Sequence, residues 1–567
     1  MSRPPPLETR SLLEDTPPSY HSTDDVSSSP VEDEPPPFPP VHVFSRADLA
    51  WMLAGLWAGV LLGAFDGTVV ATLLTPIGSE FNASNQASYI GTSYLLSVCC
   101  FTPLYGRLAD ILGRKGAMLL ALSLFGSGTI LCGAAPSMNA LIAARAVAGM
   151  GGGGLPNLAY FKVSSIAVTD LIPLQQRGLY QGVANVLYGV GAGLGGPIGG
   201  WINDRFGWRM AFYIQAPFFA FAMVVVAIKV NIKLSDEVES QSMAQKVRKI
   251  DFVGSFTLVG SVGCMLLGFS LKTAEEVPWN SPAVVGLFWA SVVFTVTFVL
   301  SQKYWALYPV MPLRLISQRT PLAISMANLF ASMSAFSMVF VVLQLYNAPL
   351  ASQLAPRYFS AVRLKSTTTS GLYMVPHSIA IPTGSIFAGW LMRRTGKLYG
   401  LTLTASFMSI FASLLASTWS QSTPDFRFWA DLLFQGFGMA SLITSTLIAM
   451  ITAVYKPDMP VATGITYLFR TTGQVLGVSL GGAITQAVLL ARLKARISGP
   501  DADKEWGLTK TTCRHTTLII PSLDPPIRQA AIDSYADALR VVFICQTLIS
   551  ILSFICCIPI EERPMAP

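Results

Sequence analysis

The sequence predicts an all-α polytopic membrane protein with about fourteen transmembrane helices. Three observations carry this prediction. The chain of 567 residues is 52% hydrophobic and only 12% charged, a balance that soluble domains rarely reach. Apolar stretches long enough to span a bilayer recur from residue 48 almost to the end of the chain. A short charged connection between the second and third stretches also recurs, in altered form, in the second half.

The first element is a polar tail over residues 1–47. It is rich in proline, serine and acidic residues and poor in aromatic residues, so it cannot bury enough apolar surface to fold. We therefore expect a disordered cytosolic tail. The first apolar run begins only near Leu49, so no cleavable signal peptide is predicted and the first span should direct its own insertion.

The apolar stretches are expected to form two bundles of six helices with two extra helices between them. The predicted N-terminal bundle covers 48–230, the linker with the two additional helices covers 231–322, and the C-terminal bundle covers 323–560. The predicted stretches lie near 48–70, 87–105, 116–134, 139–160, 180–202, 211–230, 252–271, 282–301, 323–345, 370–392, 398–418, 428–453, 464–490 and 539–559.

Basic residues are distributed unevenly between the two sides of the membrane. An even number of spans places both termini on one side. With a cytosolic N-terminus, the short cytosolic connections carry more Lys and Arg than the short opposite ones, as the positive-inside rule requires. The long 491–538 connection adds basic residues on the outer side, but long loops follow the rule poorly. We therefore predict cytosolic termini and an extracytosolic 491–538 loop.

The connection at 105–115 combines glycines with charged residues between two apolar stretches. Gly106 and Gly113 permit a tight turn between closely packed helices. Asp110 can face a helix N-terminus or an arginine, while Arg114 and Lys115 hold the connection on the cytosolic side. This pattern predicts a tight cytosolic turn between two closely packed spans.

A related pattern occurs in the second half of the chain. Gly389 and Gly396 repeat the spacing of Gly106 and Gly113, and Arg393 stands where the first copy has Asp110. A degenerate repeat at the matching place in each half indicates two similar bundles related by an axis along the membrane normal.

Three charged side chains stand out because they lie deep within apolar stretches. They are Asp66 in the first stretch, Arg145 in the fourth and Arg470 in the thirteenth. Charges at bilayer depth are costly, so they are candidates for proton or substrate coupling. An acid and an arginine that face one cavity can adjust each other's proton affinity. The alternative is that each side chain only joins its helix to a neighbour.

The fifth stretch contains a run of closely spaced glycines over residues 189–200. Small residues at this density allow neighbouring helices to approach, and a proline inside the run can kink the helix. Ordinary close packing would require the same residues. The candidate motif consists of Gly193, Gly196, Pro197, Gly199 and Gly200.

Taken together, these segments resemble the major facilitator superfamily. Within it the chain is most similar to the fungal fourteen-span drug:proton antiporters, and among those to the vacuolar basic amino acid transporters. The resemblance covers roughly residues 50–490. It rests on FDGTVVATLL at 65–74, GMGGGG at 149–154, RGLYQG at 177–182, GGPIGGWIND at 195–204, GWRMAFYIQAP at 207–217 and RTTG at 470–473.

The resemblance implies a fold of two six-helix bundles and a proton-coupled antiporter that moves small solutes out of the cytosol. It identifies the 105–115 connection as the gating loop and the glycine run as an antiporter motif. The branch implies transport of basic amino acids into the vacuole. The alternative is plasma-membrane efflux of drugs, toxins or secondary metabolites. A basic substrate requires carboxylates in its binding cavity, and Asp66 is the only acid placed firmly at bilayer depth, so the sequence leaves this alternative open.

Other classes of function are disfavoured. The net charge of +7 is scattered over loops, so no nucleic acid is expected as a partner. No phosphate-binding loop or catalytic constellation is found, so we expect neither an ATP-driven pump nor an enzyme, and neither cofactor nor metal. A sensor that binds a nutrient without transporting it remains a further alternative. The expected partners are a small-molecule substrate, protons and membrane lipid, with a monomer as the working unit.

The tail and the first outer connection carry short modification signals. An acidic dileucine and a WW-domain ligand predict contacts with an adaptor complex and a ubiquitin ligase, and the first favours the vacuolar membrane. Asn82 begins an Asn-Ala-Ser sequon in the predicted outer connection, which makes it a candidate for glycosylation. The tail signals are Glu8, Leu12 and Leu13 for the dileucine, and Pro17, Pro18 and Tyr20 for the WW ligand.

Overall fold

A computed structural model describes residues 46–154, 174–229, 251–342, 375–496 and 525–562, apart from a few residues in the connections between helices. Within these ranges every regular element is a helix, and no strand occurs. The all-α fold class that the sequence predicts is therefore confirmed.

The described residues of the first half of the chain form seven helices. The fourth begins where the Ser137 hydroxyl accepts a hydrogen bond of 3.3 Å from the amide of Ala140, which caps the helix. The sixth and seventh helices together occupy one predicted stretch. The bounds are α1 Arg46–Glu80, α2 Ala87–Ile111, α3 Gly113–Ala134, α4 Met138–Gly152, α5 Leu174–Phe206, α6 Trp208–Tyr213 and α7 Ala216–Lys229.

The remaining helices comprise a central pair and the second half. Ser281 caps the second helix of the central pair, and Pro282 occupies its first position, where a missing amide hydrogen costs nothing. A π turn at Ser301–Trp305 and a short turn at Leu313–Ile316 follow that pair. The bounds are α8 Phe252–Ala274, α9 Pro282–Leu300, α10 Arg319–Val342, α11 Val375–Thr395, α12 Tyr399–Ser417, α13 Asp425–Ala453, α14 Met459–Arg496 and α15 Pro525–Cys557.

Each predicted stretch overlaps a helix in the described part of the chain. By length and composition, 10 of the described helical segments could cross a membrane. The helices outside that set are α2, α4, α5 and α11: the apolar part of α2 covers only Tyr89–Thr102, and α4 has 15 described residues. Each of the four packs against other helices.

The last two helices are longer than predicted. Instead of ending near residue 490, α14 continues to Arg496, and α15 begins at Pro525 rather than near 539. The predicted 491–538 loop is therefore wrong at both ends. Arg496 donates hydrogen bonds to Ser534 at 3.0 Å and to Asp537 at 2.9 Å, so paired polar groups extend both helices beyond their apolar parts.

Two tight turns occupy matching places in the two halves. Leu112 alone separates α2 from α3, and Gly113 has a φ of 72°. Gly396, between α11 and α12, has a φ of 68°. A left-handed backbone strongly favours glycine, so both turns explain why glycine is repeated. The second glycine of the predicted repeat thus has the same left-handed backbone conformation in both copies.

The buried apolar residues form separate cores in the two halves. Two of the described clusters lie within α1–α7, and three lie within residues 315–560. Another cluster joins them, because Cys99 and Cys100 of α2 pack with Leu258 of α8 and Leu468 of α14. The extra helix α8 therefore lies against the seam where α2 of the first half meets α14 of the second half.

Candidate functional site

Two of the predicted intramembrane charges form an ion pair. Nη1 of Arg145 in α4 donates a hydrogen bond of 2.7 Å to Oδ2 of Asp66 in α1. The side chains are 1% and 0% exposed, respectively. Oδ1 of Asp66 and Nε of Arg145 have no hydrogen-bond partner among the described residues. The pair is thus fully buried but only half satisfied, and one carboxylate oxygen is left to accept a further group.

The glycine run of α5 determines how closely that helix approaches Asp66. A Cβ atom at Gly195 would lie 2.7 Å from the carbonyl oxygen of Phe65 and would clash with the side chain of Thr68. One turn earlier, a Cβ atom at Gly191 would clash with the carbonyl oxygen of Leu61. The backbone of α1 just before Asp66 therefore packs directly against α5.

The predicted motif residues of α5 do not share one role. Gly199 continues the face of α5 that contacts α1, because its Cβ atom would lie 3.3 Å from Cα of Val69. Gly200 would approach α1 only at van der Waals distance, and Gly193 would meet nothing within 4 Å. Gly196 and Pro197 also lie in α5. The tightest contacts thus belong to Gly191 and Gly195, which the predicted motif omits.

Glycines of α4 allow α2 to lie beside Arg145. A Cβ atom at Gly149 would lie 2.5 Å from the backbone carbonyl oxygen of Tyr94. A Cβ atom at Gly152 would lie 2.7 Å from the hydroxyl of the same tyrosine. The guanidinium carbon of Arg145 lies 4.2 Å from the centre of the Tyr94 ring, which is within cation–π range. Arg145 is therefore held between the carboxylate of α1 and an aromatic ring of α2.

A second set of polar contacts joins two helices at one end of the first bundle. Glu80, at the end of α1, accepts hydrogen bonds from Nε1 of Trp208 and Nη1 of Arg209. The guanidinium of Arg209 also lies 4.3 Å from the centre of the Trp208 ring. The bond from Arg209 is the main cause that lowers the pKa of Glu80 below its usual 4.5. These contacts tie α1 to the start of α6.

The third predicted charge, Arg470, does not join the ion pair of the first bundle. It lies in α14, half-buried, with its guanidinium carbon 5.6 Å from the centre of the Tyr467 ring. It forms no ion pair with an acid in the described ranges. Thr472, two residues after Arg470, contacts Cys99 of α2 at 3.3 Å. Arg470 therefore lies beside a contact between the two halves.

The halves also meet between α5 and α11. Nδ2 of Asn185 donates a hydrogen bond of 2.6 Å to the hydroxyl of Ser385, and Thr444 of α13 donates to the same hydroxyl at 3.2 Å. A Cβ atom at Gly182 would lie 3.0 Å from Cα of Ile386, which shows how closely the backbones approach. A buried polar contact thus crosses from one half to the other.

The remaining predicted residues occupy the gating loop and the parts near the N-terminus. Gly106 and Asp110 lie in the last turns of α2, and Arg114 and Lys115 lie in the first turn of α3, directly after Gly113. The glycosylation candidate and the tail signals lie outside the described residues, namely Asn82, Glu8, Leu12, Leu13, Pro17, Pro18 and Tyr20.

Sequence reasoning missed several of the residues that complete the site. Tyr94 is an ordinary aromatic residue of a span until α4 places Arg145 on its face. Asn185 gives a clearer signal, since an amide in an apolar stretch requires a partner. Asp431 belongs to a separate contact in the C-terminal half, where it is 2% exposed and accepts a hydrogen bond of 2.8 Å from Nε1 of Trp419.

Comparison with known proteins decides the family. The sequence profile of the Major Facilitator Superfamily matches residues 56–375. The chain belongs to this superfamily. It is 35% identical to the multidrug resistance protein fnx1 of Schizosaccharomyces pombe, over 90% of this chain and 92% of that protein. It is 30% identical to the vacuolar basic amino acid transporter 1 of Saccharomyces cerevisiae, over 86% of this chain and 87% of that protein.

Solved structures of the superfamily share the fold. The human organic anion transporter MFSD10 superposes with a TM-score of 0.54 and 15% sequence identity, over 88% of this chain and 99% of that chain. The molecule is therefore an integral membrane transporter of the Major Facilitator Superfamily and not an enzyme. Its relatives include both drug-resistance proteins and vacuolar amino acid transporters.

Proposed function

We propose that this transporter is a proton antiporter that moves basic amino acids from the cytosol into the vacuole. The observation that carries the proposal is the buried ion pair between Asp66 and Arg145, in which one carboxylate oxygen has no partner. Relatives named as vacuolar amino acid transporters support the choice of substrate and membrane.

The ion pair has the properties that a proton-exchanging site requires. In this buried environment Asp66 and Arg145 compensate each other's charge. When a proton binds to Asp66, the guanidinium loses its partner, and a buried unpaired charge is strongly unfavourable. Protonation of Asp66 therefore favours a rearrangement of α1 relative to α4, which couples the proton to the conformation of the first bundle.

Exchange follows if the proton and the substrate use Asp66 in turn. The side chain of a basic amino acid is a cation, and the unpartnered Oδ1 of Asp66 is an acceptor that such a cation can occupy. A proton that binds to the same carboxylate removes its charge and releases the cation. Alternating access would then carry the proton and the substrate in opposite directions.

The contacts between the halves support alternating access. Hydrogen bonds connect α5 to α11 and α2 to α14, and Gly182 of α5 packs closely against α11. The glycines let helices slide or rock without steric hindrance from side chains. The turns at Gly113 and Gly396 are the matching cytosolic connections in the predicted topology, so they are the places where such rocking would be limited.

The alternative function is drug, toxin or metabolite efflux across the plasma membrane. The relative with 35% identity is named a multidrug resistance protein, which favours this alternative. The same ion pair would then couple protons to an amphipathic substrate. Both functions share the coupling step and differ in the substrate and the membrane.

The tail signals support the vacuolar location. In the predicted topology the acidic dileucine of Glu8, Leu12 and Leu13 faces the cytosol, where adaptor complexes bind. Replacing both leucines with alanine should move a fluorescent fusion of the protein from the vacuole to the plasma membrane. Plasma-membrane fluorescence of the unchanged protein would instead favour the efflux function.

The test of the proposed transport uses vacuolar membrane vesicles from cells that make or lack the protein. Their own proton pump acidifies them, and uptake of labelled lysine, arginine and histidine is followed with and without a protonophore. We expect protein-dependent uptake that the protonophore and the Asp66→Asn variant both abolish. Absence of uptake, with the protein confirmed in those membranes, would contradict amino acid transport and favour efflux.

A further inference from the structure

The aromatic ring of Tyr94 covers one side of the Arg145 guanidinium. The guanidinium carbon lies 4.2 Å from the ring centre, and Nη1 of the same group donates to Asp66. The ring belongs to α2, whereas the ion pair joins α1 to α4. Three helices therefore meet at one cation.

This position of the ring depends on small residues in α4. Gly149 and Gly152 lie about one and two turns after Arg145, on the face that approaches α2. A side chain at Gly152 would collide with the Tyr94 hydroxyl, and one at Gly149 would collide with the backbone of Tyr94. The α4 helix thus leaves room for a tyrosine directly over its own arginine.

The contact constrains a guanidinium that has few hydrogen-bond partners. The side chain of Arg145 is 1% exposed, and its Nε has no partner among the described residues. The negative face of an aromatic ring attracts the cation and limits the plane that the guanidinium can adopt. The ring therefore holds Arg145 in the orientation that directs Nη1 at Asp66.

We propose that Tyr94 is a positioning residue that keeps Arg145 on Asp66 and thereby sets the pH at which Asp66 takes up a proton. The proposal rests on the proposed function of Asp66 as the proton-exchanging group. Tyr94 acts through Arg145, so the face of its ring is required and its hydroxyl is not.

Other titratable side chains surround the same pair. The Tyr94 ring of α2 covers Arg145, and the Cys132 thiol of α3 makes a side-chain hydrogen bond with the same arginine, while Arg145 and Asp66 supply the charges. Loss of the ring frees the guanidinium and weakens its stabilisation of the ionised carboxylate. The midpoint of proton uptake by Asp66 should therefore rise.

The test follows the protonation of Asp66 directly. Full-length protein in liposomes is titrated with acid, and infrared difference spectra record the carbonyl band of protonated carboxylic acids. The Asp66→Asn variant identifies the band of Asp66. Tyr94→Leu and Tyr94→Met remove the ring, Tyr94→Phe keeps it, and Phe125→Leu removes a neighbouring core ring whose centre lies 6.3 Å from that of Tyr94.

We expect the midpoint to rise by about one pH unit in Tyr94→Leu and Tyr94→Met, a tenfold change in proton affinity. Tyr94→Phe and Phe125→Leu should titrate like the unchanged protein, because a loss of packing alone does not move the midpoint. An unchanged midpoint in both apolar variants would overturn the role of Tyr94. So would failure of both apolar variants to reach the membrane while Tyr94→Phe does, since the ring would then serve folding.

The same spectra separate this inference from the proposed function. If Asp66→Asn removes no titrating band, Asp66 does not exchange protons and both proposals fail. If the Asp66 band is present and its midpoint pH is the same in every Tyr94 variant as in the unchanged protein, only the proposed role of Tyr94 is contradicted.

Discussion

Arg145 and Asp66 join α4 to α1 through a hydrogen bond of 2.7 Å between side chains that are almost completely buried. Each partner keeps one polar atom without a hydrogen bond in the described part of the chain. Such a pair contributes little net stability compared with apolar packing, but removing one partner is expensive. These properties are consistent with the proton exchange at Asp66 that we propose.

Arg145→Gln should strongly destabilise the protein at neutral pH. The substitution leaves the Asp66 carboxylate buried without a compensating charge, which costs about 3–5 kcal/mol. The double variant Asp66→Asn with Arg145→Gln should regain most of the lost stability, because no charge remains, yet it should not transport. Thermal unfolding in detergent checks the first part. An Arg145→Gln variant as stable as the unchanged protein would contradict it.

Gly195→Ala should separate α5 from α1, whereas Gly193→Ala should have little effect. The added methyl group at 195 would collide with the Phe65 carbonyl, while at 193 it would meet nothing within 4 Å. We expect Gly195→Ala to destabilise the protein by about 1–3 kcal/mol and to reduce transport. Both variants are compared by thermal unfolding and uptake. Equal effects at the two positions would show that the face of α5 is assigned wrongly.

The turn glycines at 113 and 396 should both resist substitution. An L-residue at their positive φ values costs about 1–2 kcal/mol, so Gly113→Ala and Gly396→Ala should lower thermal stability by similar amounts. Gly400 is a matched control in the first turn of α12, where a Cβ atom would meet nothing within 4 Å. Gly400→Ala should be neutral or slightly stabilising, because alanine favours helix. If only one of the two variants, Gly113→Ala or Gly396→Ala, lowered thermal stability, the result would argue against the structural repeat.

The contacts of Glu80 predict a dependence of stability on pH. Because Arg209 lowers the pKa of Glu80, the ionised side chain stabilises the fold above its usual value of 4.5. This contribution is lost as the pH falls through the lowered pKa in the folded protein. The pair is partly exposed, so Glu80→Gln should cost at most about 1 kcal/mol at neutral pH.

Unfolding curves at neutral and strongly acidic pH test this dependence. The difference in stability between Glu80→Gln and the unchanged protein should be present at neutral pH and vanish in strong acid. Glu561→Gln, at an exposed acid near the end of the chain, provides a matched control. A difference that does not change with pH would mean that Glu80 stabilises the fold by shape and not by charge.

The sequence predicted the features that follow from hydropathy and charge. Asp66 and Arg145 stood out because an isolated charge in an apolar stretch requires a partner, and the structure pairs them. Gly113 and Gly396 were predictable because a connection this short leaves few backbone conformations. In each case the local sequence contains the physical constraint.

Other features depend on which faces of two helices meet. The glycine run showed that α5 packs closely, but not that Gly191 and Gly195 contact α1 while Gly193 faces open space. Tyr94 could not be assigned to Arg145 without the packing of α2 on α4. The early start of α15 was missed because hydropathy detects the part of a helix that suits lipid, whereas ion pairs such as Arg496 with Asp537 extend the helix further.

The most direct test of the account is the proton movement that lysine causes. Protein in acid-loaded liposomes with an internal pH dye is exposed to external lysine. We expect the lumen to become more alkaline and Asp66→Asn to abolish this response. Asp431→Asn, which alters a buried acid bonded to Trp419, should preserve it. A full lysine-induced response in Asp66→Asn would contradict the central claim that Asp66 exchanges the proton.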